Sequence, residues 1–152
     1  MFSKQEATQL RKEFWTVLGQ YLSPIPSSEG EKINWINYKT GVKGLQFKMD
    51  ADREKAFIGI VIMQPDKELQ QELFNQLLEV KNILQSQLQE EWVWMAQVYE
   101  EGKLTSKTFT EKNGVNILKK EDWPELISFF KPRIIALDRF WNTVKYGFEG
   151  WQ

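Results

Sequence analysis

The run from Lys55 to Met63 (Lys-Ala-Phe-Ile-Gly-Ile-Val-Ile-Met) is apolar at nearly every position after the lysine. Successive side chains of a β-strand point to opposite faces, so a strand apolar at both parities needs shelter on both. A membrane span needs about 20 such residues, and this run is far shorter. It therefore predicts the central strand of a sheet, covered on each side, and the rest of the chain has to supply the cover.

The flanking segments read as helices and half-buried strands. Ser3 and Glu6 have the spacing of a capping box, with Phe2 and Ala7 placed for a hydrophobic staple. A helix from Ser3 to Leu22 follows, with Ala7, Leu10, Phe14, Val17, Leu18 and Tyr21 on one face. The stretch Ser23 to Gly30, with Pro24 and Pro26, ends it in a long loop. Ile33 and Trp35 predict a short strand, and Leu45, Phe47 and Met49 alternate with polar residues in another. Asp50 to Glu54 forms a charged hairpin turn leading into the central strand. Pro65 stops that strand, and Asp66 is placed to cap a long amphipathic helix reaching Leu88. Trp92 to Val98 and Leu104 to Glu111 predict two more strands around the turn at Gly102. A last helix opens near Asp122 with Pro124 in its first turn, and Pro132 should kink it.

The expected fold is α+β, a single domain over residues 1–152 in the order α-β-β-β-α-β-β-α. Five mostly antiparallel strands form one sheet packed with three helices, and the tail 147–152 frays. The N-terminus lacks the apolar stretch of a signal peptide, so a cytoplasmic protein with no membrane contact is expected.

Several segments together resemble a known family. They are Lys43-Gly44-Leu45-Gln46-Phe47-Lys48-Met49-Asp50, the strand from Ala56 to Ile62, Glu91-Trp92-Val93-Trp94, the hairpin at Gly102, and Asp122-Trp123-Pro124-Glu125-Leu126. In this order they resemble the bacterial domain-of-unknown-function family 4268. The resemblance runs from the first helix to the last. It implies a small bacterial cytosolic domain, found alone or at the C-terminal end of longer proteins, some with a restriction-nuclease-like domain. It supplies no activity and no functional residues.

The chemistry available is narrow, because the chain has no histidine and no cysteine. Ser-His-Asp triads, thiolate nucleophiles and zinc fingers are thereby excluded. Neither a Gly-x-Gly-x-x-Gly nor a Gly-x-x-x-x-Gly-Lys phosphate loop occurs. No catalytic residue, metal site or cofactor is expected. The strongest competing enzymatic reading is a Mg²⁺-dependent nuclease with a degenerate site, built from Glu31, Gln46 and Lys48. Its usual upstream aspartate is missing, since no Asp precedes Asp50. Asp50, Asp52 and Glu54 read as a charged turn rather than a cation site.

Binding residues are easier to nominate. The chain holds seven tryptophans. Trp92 and Trp94 should lie on one side of a strand, about 7 Å apart, and with Trp35 they are candidates for an aromatic platform. The alternative is that all three pack under a helix. Net charge is −1 overall but uneven along the chain. Lys103, Lys107, Lys112, Lys119 and Lys120 fall in one basic segment opposed only by Glu111, whereas Asp66 to Glu91 is acidic. A basic hairpin beside an acidic helix suits contact between two folded surfaces. The expected function is a non-catalytic interaction module that binds a protein partner or a second copy of itself. Nucleic-acid binding through the five lysines is the alternative.

Overall fold

The computed structural model describes residues 2–151. Helix α1 (Lys4–Leu22) begins with the expected cap: the Ser3 hydroxyl accepts from the Glu6 backbone N–H, and the Glu6 carboxylate accepts from Ser3 N–H. Two strands follow, β1 (Leu45–Ala51) and β2 (Lys55–Ile62), and then α2 (Lys67–Glu79) and α3 (Lys81–Leu88). The chain closes with β3 (Val93–Glu100), β4 (Lys103–Asn113) and the long α4 (Trp123–Val144). The strands form one antiparallel sheet in the order β1-β2-β4-β3.

The architecture is α+β as expected, but the sheet has four strands rather than five and the described residues hold four α-helices rather than three. The missing strand is Ile33–Trp35. Asn34 Oδ1 accepts from the backbone N–H groups of Ile36 and Asn37 at 3.1 Å each, which bends the chain into a turn. Trp35 is buried, with its indole N–H donating to the Ile25 carbonyl at 3.0 Å. Its apolarity reflects loop anchoring, not a strand face.

The extra helix comes from a break at Val80, whose φ of −106° and ψ of 15° interrupt the helix predicted to run to Leu88. On the near side of the break, Leu73 and Leu77 face the sheet layer. Beyond it, α3 turns to pack along α4 with Leu84 and Leu88 buried. One straight helix could not follow both surfaces. Neither glycine nor proline marks the break.

The helices lie on one side of the sheet. Ala56, Ile58, Ile60 and Ile62 of β2 point into the core with Leu45 and Phe47 of β1, under Leu73 and Leu77 of α2 and Phe130, Leu137 and Trp141 of α4. β2 does occupy the centre. The expected cover on its second face is absent, because no helix packs there and Val61 and Phe109 lie outside the core cluster.

Two smaller expectations also change. Tyr21 was assigned to the buried face of α1 but is 55% exposed; Leu22 is buried in its place. The tail is packed rather than frayed: Lys145–Trp151 forms a 3₁₀ helix with Phe148 buried. The Trp151 indole N–H donates to Gln76 Oε1 at 2.7 Å. Gln152 lies outside the described residues. α4 runs unbroken through Pro132.

Ile60 is inaccessible and sits under α4 and α2. Ile60→Ala should lower stability by about 2–5 kcal/mol through lost transfer energy and the cavity left behind. Chemical denaturation measures this, and a loss below about 1 kcal/mol would contradict the packing described.

Candidate functional site

The uncovered face of the sheet follows from the strand register. Gln46, Val61, Lys107 and Met95 make one rung across β1-β2-β4-β3, and Lys48, Gly59, Phe109 and Val93 make the next. Asp50, Phe57 and Glu111 form a third on the first three strands. Gln46, Lys48, Asp50, Phe57, Val61, Lys107 and Glu111 of these rungs line a shallow depression of about 590 Å³.

Without a helix to cover it, the apolar parity of β2 is sheltered by its neighbours. Phe57 and Phe109 stack with ring centroids 5.2 Å apart and planes 24° from parallel. Lys107 lies across both rings, its Nζ 5.4 Å and 4.9 Å from the two centroids, and it also pairs with Glu100. An ammonium over two aromatic faces gains electrostatic attraction, while its methylene stem covers apolar surface. The pair needs Gly59 between its members. A Cβ there would stand 2.8 Å from Phe109 Cβ and from the Thr108 carbonyl oxygen, and 3.0 Å from Phe57 Cζ.

Charges of both signs surround the aromatic centre. Lys48, Lys55, Lys103 and Lys107 share the face with Asp50, Asp52, Glu100, Glu101 and Glu111. Lys55 pairs with Glu111 at 3.0 Å, an interaction that raises the lysine pKa. At the rim, Val93, Met95 and Met63 are exposed.

The nominated binding residues do not converge. Lys103 and Lys107 lie on this face. Lys112 belongs to the opposite parity of β4 and pairs with Glu125 of α4 at 3.3 Å. Lys119 sits in the following turn. Lys120 reaches Glu13 of α1 at 3.5 Å and lies 5.6 Å from the Trp123 ring centroid. The basic segment is thus split between the two sides of the sheet, and three of its five lysines have carboxylate partners.

The tryptophans likewise form no single platform. Trp92 is buried in the core, and Trp94 packs edge-on against Phe74 of α2 with Lys81 5.8 Å from its centroid. Neither indole N–H has a hydrogen-bond partner among the described residues. Trp35 is held apart from both, in the loop before β1.

The nuclease set is also divided. Gln46 and Lys48 share the open face, but Glu31 lines a different cleft on the helical side. In the charged turn, Asp52 Oδ1 accepts from Glu54 and Lys55 N–H at 2.8 and 2.9 Å. These backbone donors hold its pKa below the usual carboxylate range.

Residue-level reading missed that second cleft, about 390 Å³, between the loop 27–40 and α4. Its floor is Asp138, buried within the apolar stripe of α4. An acid between Leu137 and Phe140 was the available signal. Asp138 accepts from the Tyr38 hydroxyl at 2.6 Å, Ser28 N–H at 2.7 Å and Asn142 Nδ2 at 3.1 Å. Burial, then the hydrogen bond to Asp138, and then the charges of Asp138 and Glu29 push the Tyr38 pKa well above its ordinary value.

Comparison with known proteins gives one family match: Domain of unknown function (DUF4268), over residues 10–145. No curated protein and no solved structure matches.

Two measurements test these arrangements. Gly59→Ala should destabilise by about 1–3 kcal/mol through overpacking beneath the phenylalanine pair. Thermal or denaturant unfolding with near-neutral cost would refute the close approach. For Tyr38, a raised folded-state pKa adds stability that is fully present below the unfolded tyrosine pKa, about 10, and disappears as pH climbs through the folded value. Tyr38→Phe should therefore flatten the alkaline limb of the stability profile between about pH 10 and 12, as read by denaturant midpoints. An unchanged alkaline limb would count against the buried hydroxyl.

Proposed function

The chain belongs to the DUF4268 family, and from that premise we propose that it is a non-catalytic module that docks a folded protein surface against the open face of its sheet. The observation that carries this reading is the charge balance of that face. Four lysines and five carboxylates surround an apolar centre of Phe57, Val61 and Phe109, with Val93 and Met95 exposed at its rim. Protein interfaces have this anatomy, an apolar middle within a polar rim of mixed sign. A polyanion would instead favour unpaired positive charge, and here Lys55 and Lys107 already hold carboxylates.

The edge geometry favours contact by the face over strand addition. β3 is an edge strand, and its register shifts between Met95 and Val98, where Gln97 has a φ of 49°. Such a bulge interrupts the row of backbone groups that an added strand would need. The occupant then lies on the rungs rather than beside them. Cytoplasmic placement belongs to the same proposal; among the described residues, no helix is long and apolar enough to cross a membrane.

The test uses a photo-crosslinking residue at Met95, with sedimentation velocity across a concentration series. The expected result is a crosslink to protein, either a second copy or a partner, abolished by Val93→Asp. Because Val93 is surface-exposed, that variant should change stability by no more than about 0.5 kcal/mol. Crosslinking to nucleic acid alone, with binding that falls about 10³-fold or more between 50 and 200 mM salt, would replace this reading with the nucleic-acid one.

A further inference from the structure

We propose that the cleft between the loop 27–40 and α4 binds a small organic cation, its ammonium or guanidinium group seated at Asp138. The cleft is on the helical side of the sheet, away from the docking face, so this site is independent of the function proposed above.

The argument begins with an uncompensated charge. Asp138 is 1% exposed, yet all three of its donors are neutral: a backbone N–H, a phenol and a carboxamide. Among the described residues, no lysine or arginine lies within ion-pair distance of it. Two lysines line the cleft: Lys145 is engaged elsewhere, with Glu29 Oε1 at 2.7 Å and Asn142 Oδ1 at 3.0 Å, and Lys39 makes no ion pair with Asp138. Buried carboxylates are ordinarily paired, because desolvation of an isolated charge is costly.

Hydrogen-bonding capacity also remains. A carboxylate oxygen accepts about two hydrogen bonds. Oδ1 of Asp138 has two donors, whereas Oδ2 has only Ser28 N–H. The cleft that Asp138 floors has room for a ligand at about 390 Å³, with Tyr38 and Trp141 among its walls. Glu29, paired with Lys145, and Glu31 stand at the same opening with Lys39, so that with Asp138 the lining carries three carboxylates against two lysines. A carboxylate floor with aromatic walls is the chemistry that recognises an alkylammonium or a guanidinium, through a charge-assisted hydrogen bond and cation–π contact.

The test is an NMR titration of the full chain with n-butylammonium and with n-butylguanidinium, using n-butanol and butyrate as controls. Both cations should saturate below about 10 mM and shift the Trp141 indole N–H, the Ser28 amide and the Asn142 side-chain amide. n-Butanol and butyrate should shift none of them. Asp138→Asn should weaken binding about tenfold or more, as loss of a charge-assisted hydrogen bond predicts. Glu29→Gln, at an exposed position, should weaken it about two- to fivefold and lessen its salt dependence. Preference for n-butylguanidinium over n-butylammonium would assign a guanidinium ligand, and the reverse an alkylammonium. The proposal is overturned if the cations leave these three signals unmoved, if n-butanol moves them equally, or if a folded Asp138→Asn binds as tightly. Should Asp138→Asn fail to fold, the shift map of the unaltered protein and Glu29→Gln decide the matter.

Discussion

The structure depends on the conflict posed by β2: a strand apolar at both parities in a protein that has a helical layer on one side only. Ala56, Ile58, Ile60 and Ile62 meet that layer and form the core. Phe57, Gly59 and Val61 face the other way and must be sheltered by the sheet itself. Flat stacking of Phe57 on Phe109, made possible by the missing side chain at Gly59, provides most of that shelter. Lys107 completes it from above. The open face is consequently neither an ordinary polar surface nor a second core. Its centre is a stacked aromatic pair under Lys107 and its rim is charged, and the docking proposal rests on these features.

The helical layer is tied to the sheet by polar groups as well as by apolar packing. Gln70 of α2 is inaccessible; its amide donates to the carbonyls of Gln64 and Leu104, and its oxygen accepts from the Ser106 hydroxyl at 2.8 Å. Trp141 of α4 donates its indole N–H to the Thr40 carbonyl at 2.8 Å, and Trp123 donates to Ile117 at 2.7 Å. Buried polar groups satisfied in this way fix register, since a slip would strand each of them in an apolar medium. Asp138 plays the same part for the loop 27–40, with one difference. It brings a full charge into the core, whereas Gln70 and the tryptophans bring only dipoles.

The sequence was legible where local chemistry decides structure. Ser3 and Glu6 mark the start of α1 because a capping box is made within one turn, and Asp66 caps α2 through Leu69 N–H for the same reason. β1 and β4 could be placed from their patterning and turn residues, and β2 from its continuous apolar run. The misreadings occurred where tertiary competition decides. Trp35 looks like a strand residue because burial of a loop anchor and of a strand face leave the same apolar mark; only the turn made by Asn34 separates them. The break at Val80 has no local signature, since it arises from α2 following the sheet while α3 follows α4. The second cover on β2 was expected because periodicity reports that a residue is sheltered without saying by what.

The site residues were harder to read for a further reason: charge counted along a chain is not charge summed in space. Lys103 to Lys120 carries a net +4 as a segment. Folding sends alternate residues of β4 to opposite faces, and carboxylates from β3, α4 and α1 meet three of the lysines: Glu100 holds Lys107, Glu125 holds Lys112 and Glu13 holds Lys120, while the segment's own Glu111 is held by Lys55 of β2. Most of these pairs are solvent-exposed and contribute little to stability, on the order of 0–1 kcal/mol each. Their larger effect is on recognition. Each neutralised lysine lowers the counterion release available to a phosphate backbone, while the paired charges remain able to exchange partners with a protein surface of mixed sign. Splitting the basic segment across the sheet thus weakens the case for a polyanion and strengthens that for a protein, from the same five lysines that first suggested the reverse.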